Sequence, residues 1–186
     1  SSYHDTPSTV YEQAIQIEEE LKRDLLSRNG PENIHRLHDE LADWMTRNVT
    51  VKRDNQDLQA TLNKLKELRE RYQHISLDDR SQFANQTYAF ANQFGPMLEL
   101  AIVITKGALL RNEFRGAHYK PEFPQRDDQN WLKTTIATYQ TNLEEPLITY
   151  QPVDLRHLKP IHRDYTKAKK VQPTLENIPV NLTLPV

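Results

Sequence analysis

The chain has 186 residues, a formal net charge of −2 and no cysteine. A chain of this length can form one domain with a sizeable core, and its charge gives no electrostatic reason to expect binding of nucleic acid. Without cysteine there can be no disulfide, no thiolate nucleophile and no cysteine-ligated cluster. The sequence has no run of about 18 apolar residues, so we expect no membrane-spanning helix.

The N-terminal residues give two further expectations. The start SSYHDTPS lacks the basic and then apolar pattern of a signal peptide, so we expect none. It also lacks an initiator methionine, as expected of a piece of a longer protein, although processing would have the same effect.

The first two predicted helices are separated by a break at residues 29–31. Thr6 is predicted to cap the first helix, with Pro7 at its first position. Gly30 suits the left-handed conformation after a helix end, and Pro31 suits the first turn of the second helix. The apolar stripe of the first helix comprises Val10, Ala14, Ile17, Leu21 and Leu25. That of the second comprises Ile34, Leu37, Leu41, Trp44, Met45 and Val49.

Two more helices are predicted before residue 112. The third is capped by Asp54 or Asn55, and its stripe comprises Leu58, Leu62, Leu65, Leu68 and Tyr72. The fourth and longest is predicted to begin at Ser76, with Asp79 completing a motif like a capping box. Pro96 predicts a kink in it. Its apolar face comprises Phe83, Phe90, Phe94, Met97, Ala101, Ile104 and Ala108, widened by Leu98, Ile102 and Leu109.

Residues 111–128, which we name the charged segment, read RNEFRGAHYKPEFPQRDD. Gly116 offers a backbone hinge, while Pro121 and Pro124 prevent a helix from continuing. One interpretation is a solvated helix end, in which Arg115 pairs with Glu113 or Asp127. The alternative is a functional site, because basic, acidic and aromatic residues and a histidine are unusually dense here.

Two strands are predicted after the charged segment, at residues 131–139 and 147–153, because both stretches are rich in β-branched and aromatic residues. Prolines beyond residue 154 predict an extended tail. The predicted fold is therefore mainly α: an antiparallel three- to four-helix bundle, like a spectrin repeat, with a small C-terminal β-hairpin and an extended tail. We expect a bundle at 1–112, the charged segment and hairpin at 113–166, and an extended or disordered tail at 167–186.

Several kinds of site are excluded or disfavoured by the residues present. Glycine occurs only at positions 30, 95, 107 and 116, so neither a dinucleotide fingerprint nor a P-loop can be built. His35 and His38 lie three residues apart, but exposed helix histidines are the favoured interpretation, and we predict no metal site. Lys167, Lys169 and Lys170 form a short basic run that we interpret as part of a soluble tail.

The charged segment resembles the C-terminal region of succinate dehydrogenase and fumarate reductase flavoprotein subunits. The resemblance covers residues 32–166 approximately, and Phe114 stands where the family usually has serine. The main motif lies at residues 112–113, 115–124, 126–128 and 131–139, with further matches at 43–51, 150–153 and 163–165. A shorter form of the motif is also similar to that of L-aspartate oxidase.

The resemblance implies a parent protein that oxidises succinate to fumarate by hydride transfer to FAD. An upstream flavin-binding domain and a capping domain, both absent from this chain, would bind the FAD and supply the catalytic residues. We therefore expect no catalytic residue and no cofactor in the chain itself. Electrons would pass to an iron–sulfur subunit and then to quinone in a membrane anchor subunit, placing the complex peripherally on the cytoplasmic side of the membrane.

The resemblance also implies which residues of this chain approach the flavin. C-terminal arginines of the family lie near the cofactor, where a fixed cation would stabilise the anionic reduced flavin. By motif position the cofactor-adjacent candidates are Arg115, His118 and Arg163. Arginine suits this role because it stays charged and offers a planar fork of donors.

Three alternatives remain open at this point. The parent could be a fumarate reductase, since oxidation of succinate and reduction of fumarate use the same residues. It could be L-aspartate oxidase, although the long stretch after the motif, with its strand pair, argues against that enzyme. The chain could also be a stand-alone helical interaction module.

Overall fold

The structure is a computed structural model that describes residues 8–140, 143–158 and 160–161. The described residues up to Val153 belong to one compact unit, and Asp154 begins a second. The elements of the first unit are α1 Ser8–Ser27, α2 Ile34–Asn48, α3 Asn55–Tyr72, α4 Gln86–Leu110, α5 Asp128–Trp131, β1 Lys133–Thr138 and β2 Leu147–Pro152. The predicted fold class, mainly α with a small C-terminal hairpin, is confirmed.

Helices α2, α3 and α4 pack against one another and form the core. The predicted stripe of α3 is buried along its whole length, from Leu58 to Tyr72. Asp54 caps this helix as predicted, because its side chain accepts hydrogen bonds from the backbone N–H groups of Gln56 at 2.8 Å and Asp57 at 3.2 Å. The hydroxyl of Tyr72 donates to Ala91 O of α4 at 2.8 Å, which satisfies its polar end inside the core.

Most of the predicted stripe of α1 is exposed. Val10, Ile17 and Leu21 are each about half exposed, and only Leu25 and Leu26 of this helix are buried. The predicted helix forms, but only the C-terminal end of α1 reaches the core beside α4. Thr6 and Pro7, the predicted cap, lie outside the described residues.

The break between α1 and α2 differs from the prediction. Helix α2 begins at Ile34 and is capped by Asn33, so Pro31 lies before the helix. Gly30 does not adopt the left-handed conformation. Glycine is required there for another reason: a Cβ at this position would lie 1.8 Å from the carbonyl oxygen of His74. The backbone N–H of Gly30 donates to Ile75 O at 3.2 Å, so two loops are in direct backbone contact.

The prediction that α4 begins at Ser76 is wrong. The backbone N–H of Ser76 donates to Glu32 O at 3.1 Å in the same loop contact, which holds it outside any helix. Asp79 instead accepts from the backbone N–H of Ser81 at 2.8 Å. The cap of α4 is Asn85, whose side chain accepts from Tyr88 N at 2.7 Å.

The buried face of α4 agrees with the predicted one at Phe94, Leu98, Ala101, Ile102 and Ala108. Met97 and Ile104 of the predicted face are exposed, and Phe83, which is 88% exposed, lies before the helix. The helix continues through Pro96. The buried residues are Ala91, Phe94, Leu98, Ala101, Ile102, Thr105 and Ala108. Helix α4 has the length and hydropathy of a membrane span, which the sequence had not led us to expect, but core helices of soluble proteins share both properties and α4 packs against α1, α2 and α3.

The hairpin forms at the predicted place. Strands β1 and β2 pair antiparallel in a register that runs from Lys133 opposite Pro152 to Thr138 opposite Leu147. Trp131 belongs to α5 instead of the first strand, because the Asp127 side chain accepts from Asn130 N at 3.0 Å and caps that short helix. Strand β1 packs against α4.

An ion-paired loop fastens the hairpin to the bundle. Glu145 pairs with Lys106 of α4 at 2.9 Å and with Lys66 of α3. Lys106 also donates to Pro146 O at 2.9 Å.

In the second unit, Asp154 pairs with Arg156 at 2.7 Å. The proposed domain divisions at residues 112 and 166 stay a prediction.

Candidate functional site in the charged segment

Helix α4 ends at Leu110, and the buried Lys120 caps its C-terminal end. Its Nζ donates to Leu109 O at 2.8 Å, Asn55 Oδ1 at 2.6 Å and Asn112 Oδ1 at 3.1 Å. Burial lowers the pKa of Lys120 to about 8. A cation at this end of a helix complements the helix dipole. Lys120 therefore holds the charged segment between the end of α4 and the start of α3.

The middle of the charged segment is a tight turn at residues 115–118. The backbone N–H and C=O groups of Arg115 and His118 exchange two hydrogen bonds of 3.0 Å. Gly116 occupies the first central position with φ +60°, a conformation that favours glycine. Gly116 and Ala117 are exposed at the tip of the turn. The predicted hinge is therefore a formed hairpin turn that presents Arg115 on one side and His118 on the other.

The carboxylate of Glu113 is the buried centre of an ion-pair network. Its side chain has no exposed surface. It accepts from Arg115 Nε at 2.7 Å and Nη2 at 2.9 Å, from Arg111, and from the backbone N–H of Asp127 at 3.2 Å. Two guanidinium groups thus share one buried carboxylate, which is stable only because every lone pair finds a donor.

Arg115 also pairs with Asp128, at 2.7 Å. The predicted pairing with Glu113 is confirmed, but Asp127 is not a partner of Arg115, since its carboxylate accepts from Asn130. The hydrogen bonds that Arg115 donates to Glu113 and Asp128 raise its pKa, so the guanidinium stays charged. Arg126 and Arg115 together lower the pKa of Asp128 to about 2.

His118 lies on the other side of the turn and uses both ring nitrogens. Its Nδ1 is 2.6 Å from Arg53 Nη1, and its Nε2 is 2.8 Å from Arg111 O. Arginine can only donate, so Nδ1 is the acceptor and Nε2 carries the proton that is donated to Arg111 O. Burial lowers the pKa of His118, and the charges of Arg53, Lys120 and Arg111 lower it further, so the imidazole is neutral at pH 7.

Arg53 belongs to the candidate site but was not predicted from the sequence. It lies between α2 and α3, where a single arginine in a polar stretch resembles an ordinary surface residue. Its backbone N–H donates to Tyr119 O at 2.8 Å, and Tyr119 N donates to Val51 O at 3.1 Å. This bridge places the Arg53 side chain beside His118, 65 residues away in sequence. No sequence signal would have paired them.

Arg111 connects the charged segment to the hairpin. Its guanidinium donates to Trp131 O at 3.0 Å and to Lys133 O at 2.6 Å, and it lies 5.4 Å from the centre of the Trp131 ring. These contacts hold β1 beside the end of α4.

Arg53, Arg111 and His118 line one cleft of about 290 Å³ between α4 and the hairpin. Its remaining lining is mostly apolar: Val103, Ile104, Gly107, Ala108, Thr135, Ala137 and Ile148. Arg115 is not among the residues that line this cleft. The structure therefore brings Arg115 and His118 onto one turn but directs them to different surroundings.

The other candidates from the sequence are placed as follows. Arg163 and Lys167, Lys169 and Lys170 lie outside the described residues. His35 stacks on the ring of Phe90 at 4.9 Å, and His38 meets the same ring at 5.4 Å. Within the described part of the chain, no group of three or more acidic or histidine side chains is arranged to hold a metal ion.

Comparison with known proteins gives a consistent result. The model of the family described as fumarate reductase flavoprotein C-term matches residues 38–165. The chain is 47% identical over 169 residues to the succinate dehydrogenase flavoprotein subunit of Bacillus subtilis. It is 33% identical over 148 residues to the fumarate reductase flavoprotein subunit of Haemophilus influenzae.

A solved structure with the same fold is the FrdA chain of Escherichia coli quinol fumarate reductase. The two superpose with a TM-score of 0.78 at 28% identity, over 86% of this chain and 27% of that one. The match to the Bacillus protein likewise covers 91% of this chain but only 29% of that protein. It therefore spans less than a third of the length of these relatives. On the strength of the match over residues 38–165, the chain belongs to the family of fumarate reductase flavoprotein C-terminal domains.

Proposed function

We propose that the chain is the C-terminal domain of a succinate dehydrogenase flavoprotein subunit, whose complete form oxidises succinate to fumarate with FAD. The observation that carries this choice is the identity of 47% to a succinate dehydrogenase subunit, against 31–34% to the fumarate reductase subunits compared. Fumarate reductase is the second candidate, supported by the superposition with the E. coli enzyme.

In this proposal the domain is structural and does not catalyse the reaction alone. The upstream flavin-binding and capping domains would hold the FAD, which accepts the hydride when bound. The chain has no glycine-rich nucleotide loop of its own, since its four glycines are scattered. Its contribution would be to pack beside the flavin domain and to supply fixed charge near the cofactor.

Arg115 is the residue of this chain best suited to face an anionic cofactor. Its side chain is 30% exposed, and Glu113 and Asp128 hold the guanidinium in place. Among the described residues, nothing accepts a hydrogen bond from its Nη1, so that group is available. His118 uses both ring nitrogens inside the chain, so we assign it a positioning role behind the turn. Arg163 stays a candidate by motif position alone.

The partners follow from the same proposal. A flavoprotein subunit of this kind would pass electrons to an iron–sulfur subunit and, through a membrane anchor subunit, to quinone. The complex would then lie peripherally on the cytoplasmic side of the membrane. A relevant comparison is a quinol fumarate reductase solved with menaquinol, to which the chain is 28% identical at a TM-score of 0.76.

The test uses the full-length subunit in its complex. We expect succinate-dependent reduction of an artificial electron acceptor and a fluorescent covalent flavin on a denaturing gel. Oxidation of L-aspartate in place of succinate would transfer the chain to the other flavoenzyme. A band near 22 kDa, detected with an antibody to the chain and lacking flavin, would support a stand-alone helical module and overturn the proposal.

The role of Arg115 is tested separately in the same complex. We expect Arg115→Gln to lower covalent flavin content or turnover, because a fixed positive charge is lost. Arg126→Gln is the matched control, since Arg126 also pairs with Asp128. Unchanged flavin content and turnover in Arg115→Gln would overturn the role of Arg115 but leave the assignment of the parent enzyme intact.

A further inference from the structure

Arg53 is a half-buried cation whose described partners are all neutral. Its Nε donates to Thr50 O at 2.7 Å and to Val49 O at 3.2 Å, and its Nη2 donates to Val49 O at 3.0 Å. Its Nη1 donates to His118. In the part of the chain that the structure describes, no carboxylate forms an ion pair with it. A charge removed from water without a counter-ion is costly, so a site with an unpaired guanidinium favours an anion.

Arg53 has N–H groups that the described hydrogen bonds do not use. A guanidinium has five N–H groups. The described hydrogen bonds use the Nε–H and one N–H on each terminal nitrogen. One N–H therefore remains on Nη1 and one on Nη2. Two such donors on one planar group match the two oxygens of a carboxylate.

Three cations act on His118 at the edge of the cleft, namely Arg53, Lys120 and Arg111. The described hydrogen bonds of Lys120 go to neutral oxygens, at Asn55, Asn112 and Leu109, while the carboxylates of Glu122 and Asp54 act on it from a greater distance. Arg111 is balanced by Glu113, which it shares with Arg115. The low pKa of His118 reflects burial and the fields of these cations. A group of negative charge in the cleft would relieve that field.

The rest of the cleft is apolar and small. Val103, Ile104 and Ala108 of α4 form one wall, and Ala137 and Ile148 of the hairpin form the other. A volume of about 290 Å³ holds a small molecule but no extended cofactor. Apolar walls beside a cationic end suit a ligand with one charged group, whereas inorganic phosphate would leave the walls uncovered.

We propose that the cleft between α4 and the hairpin binds a carboxylate carried on a short apolar body. The carboxylate accepts the two unused N–H groups of Arg53, and the apolar body lies between Val103 and Ile148. This site is separate from the proposed contact of Arg115 with the flavin and does not depend on the identity of the parent enzyme.

The test is a titration of the full 186-residue chain with hexanoate, followed by NMR of the backbone amides and the His118 ring. We expect saturable shifts at the cleft and a rise in the pKa of His118 on binding. Two matched probes are used: hexanamide, which lacks the charge, and inorganic phosphate, which lacks the apolar body. Each should bind at least about tenfold more weakly, because a charged hydrogen bond or the apolar contact is lost. Equal binding of hexanamide would overturn the proposal.

Two variants complete the experiment. Arg53→Gln should weaken hexanoate binding at least about tenfold, while Arg47→Gln, at an exposed position on α2, should leave it unchanged. Because Arg53 also donates to the carbonyls of Val49 and Thr50, directly after α2, a second variant keeps the cations intact. Ala137→Trp, on an exposed strand position, fills the apolar end and should also abolish binding. Binding that survives both substitutions would show that the cleft is not the site.

Discussion

Glu113 and Arg115 are joined by two hydrogen bonds, from Nε to Oε1 at 2.7 Å and from Nη2 to Oε2 at 2.9 Å, although only one residue separates them in the chain. This bidentate pair closes over one intervening residue, and the Glu113 carboxylate is fully buried. It explains how the charged segment keeps one conformation without regular secondary structure. The pairing also sets the position from which Arg115 would meet a cofactor.

Replacing Glu113 with Gln should destabilise the chain strongly. The substitution leaves Arg111 and Arg115 close together without the carboxylate that both contact, and breaking a buried pair of this kind costs about 3–5 kcal/mol. Denaturant unfolding of the 186-residue chain measures the loss. The control is Asp128→Asn, which removes an exposed partner of Arg115 and should cost much less. A loss no larger than that of the control would show that the network is not a stability determinant.

The substitution Arg53→Met should raise the pKa of His118. In the wild type the pKa is lowered chiefly by burial, with a contribution from the charge of Arg53, which also donates to Nδ1. Removing that donor and its charge allows the imidazolium to form more easily. Two-dimensional NMR of the ring nitrogens gives both the pKa and the tautomer. We expect the Nε2–H form in the wild type; an Nδ1–H form would contradict the assigned hydrogen bonds.

The same shift has a consequence for stability in acid. The folded state holds the pKa of His118 below its ordinary value of 6.5, so between the two values the unfolded chain binds more protons. Stability therefore falls as the pH drops below about 6.5, and this part of the loss should be smaller in a His118→Gln variant. Denaturant midpoints of the two proteins across that range provide the comparison. Parallel profiles would argue against a neutral buried His118.

Lys120 should make the chain more stable as the pH rises. Its folded pKa of about 8 lies below the value of 10.5 for an unperturbed lysine. Between these values the unfolded state binds more protons than the folded state, so stability increases with pH. Relative to Lys120→Met, the wild type should gain about 2 kcal/mol between about pH 7.5 and about pH 9.5. Identical pH profiles of unfolding for both proteins would mean that Lys120 titrates normally.

Replacing Gly30 and Gly107 with alanine should have opposite effects on the stability of the chain. In Gly30→Ala the new Cβ would meet the backbone of His74 at 1.8 Å, so the loop contact must open, at a cost of at least about 2 kcal/mol. In Gly107→Ala, inside α4, no atom beyond the neighbouring helix backbone lies within 4 Å of the new Cβ. Removing a helix-interior glycine should then stabilise the chain by about 0.5–1 kcal/mol. Thermal and denaturant unfolding measure both effects, and effects of equal sign would contradict the close approach at Gly30.

Local signals predicted the elements whose sequence and tertiary surroundings agree. The leucine stripe and the Asp54 cap of α3 were sufficient because that helix is buried along one whole face. The hairpin was predicted because both strands are rich in β-branched residues. The predicted start of α4 was wrong because Ser76 and Asn85 are both good helix-capping residues. Only the backbone contact with Glu32 holds Ser76 outside the helix.

The candidate site was predicted only in part. Arg115 and His118 were identified by resemblance of the motif, and Glu113 was one of two partners predicted for Arg115, the other being Asp127. The side chain of Arg53 could not be placed from sequence, because no periodicity or spacing connects residues 65 positions apart. The exposure of Val10 and Ile17 could not be predicted from the sequence either, since an amphipathic helix has the same pattern whether or not its apolar face is covered.

The amino-acid sequence by itself determined the helical class, the hairpin, the break after α4 and the family resemblance, because these depend on residues that are neighbours in the chain. The tertiary structure alone decided where α4 begins, why residue 30 must be glycine, and that Arg53, Arg111 and His118 meet in one cleft. Those features depend on long-range packing and on the need of each buried polar group for a partner, and both exist only in the folded chain.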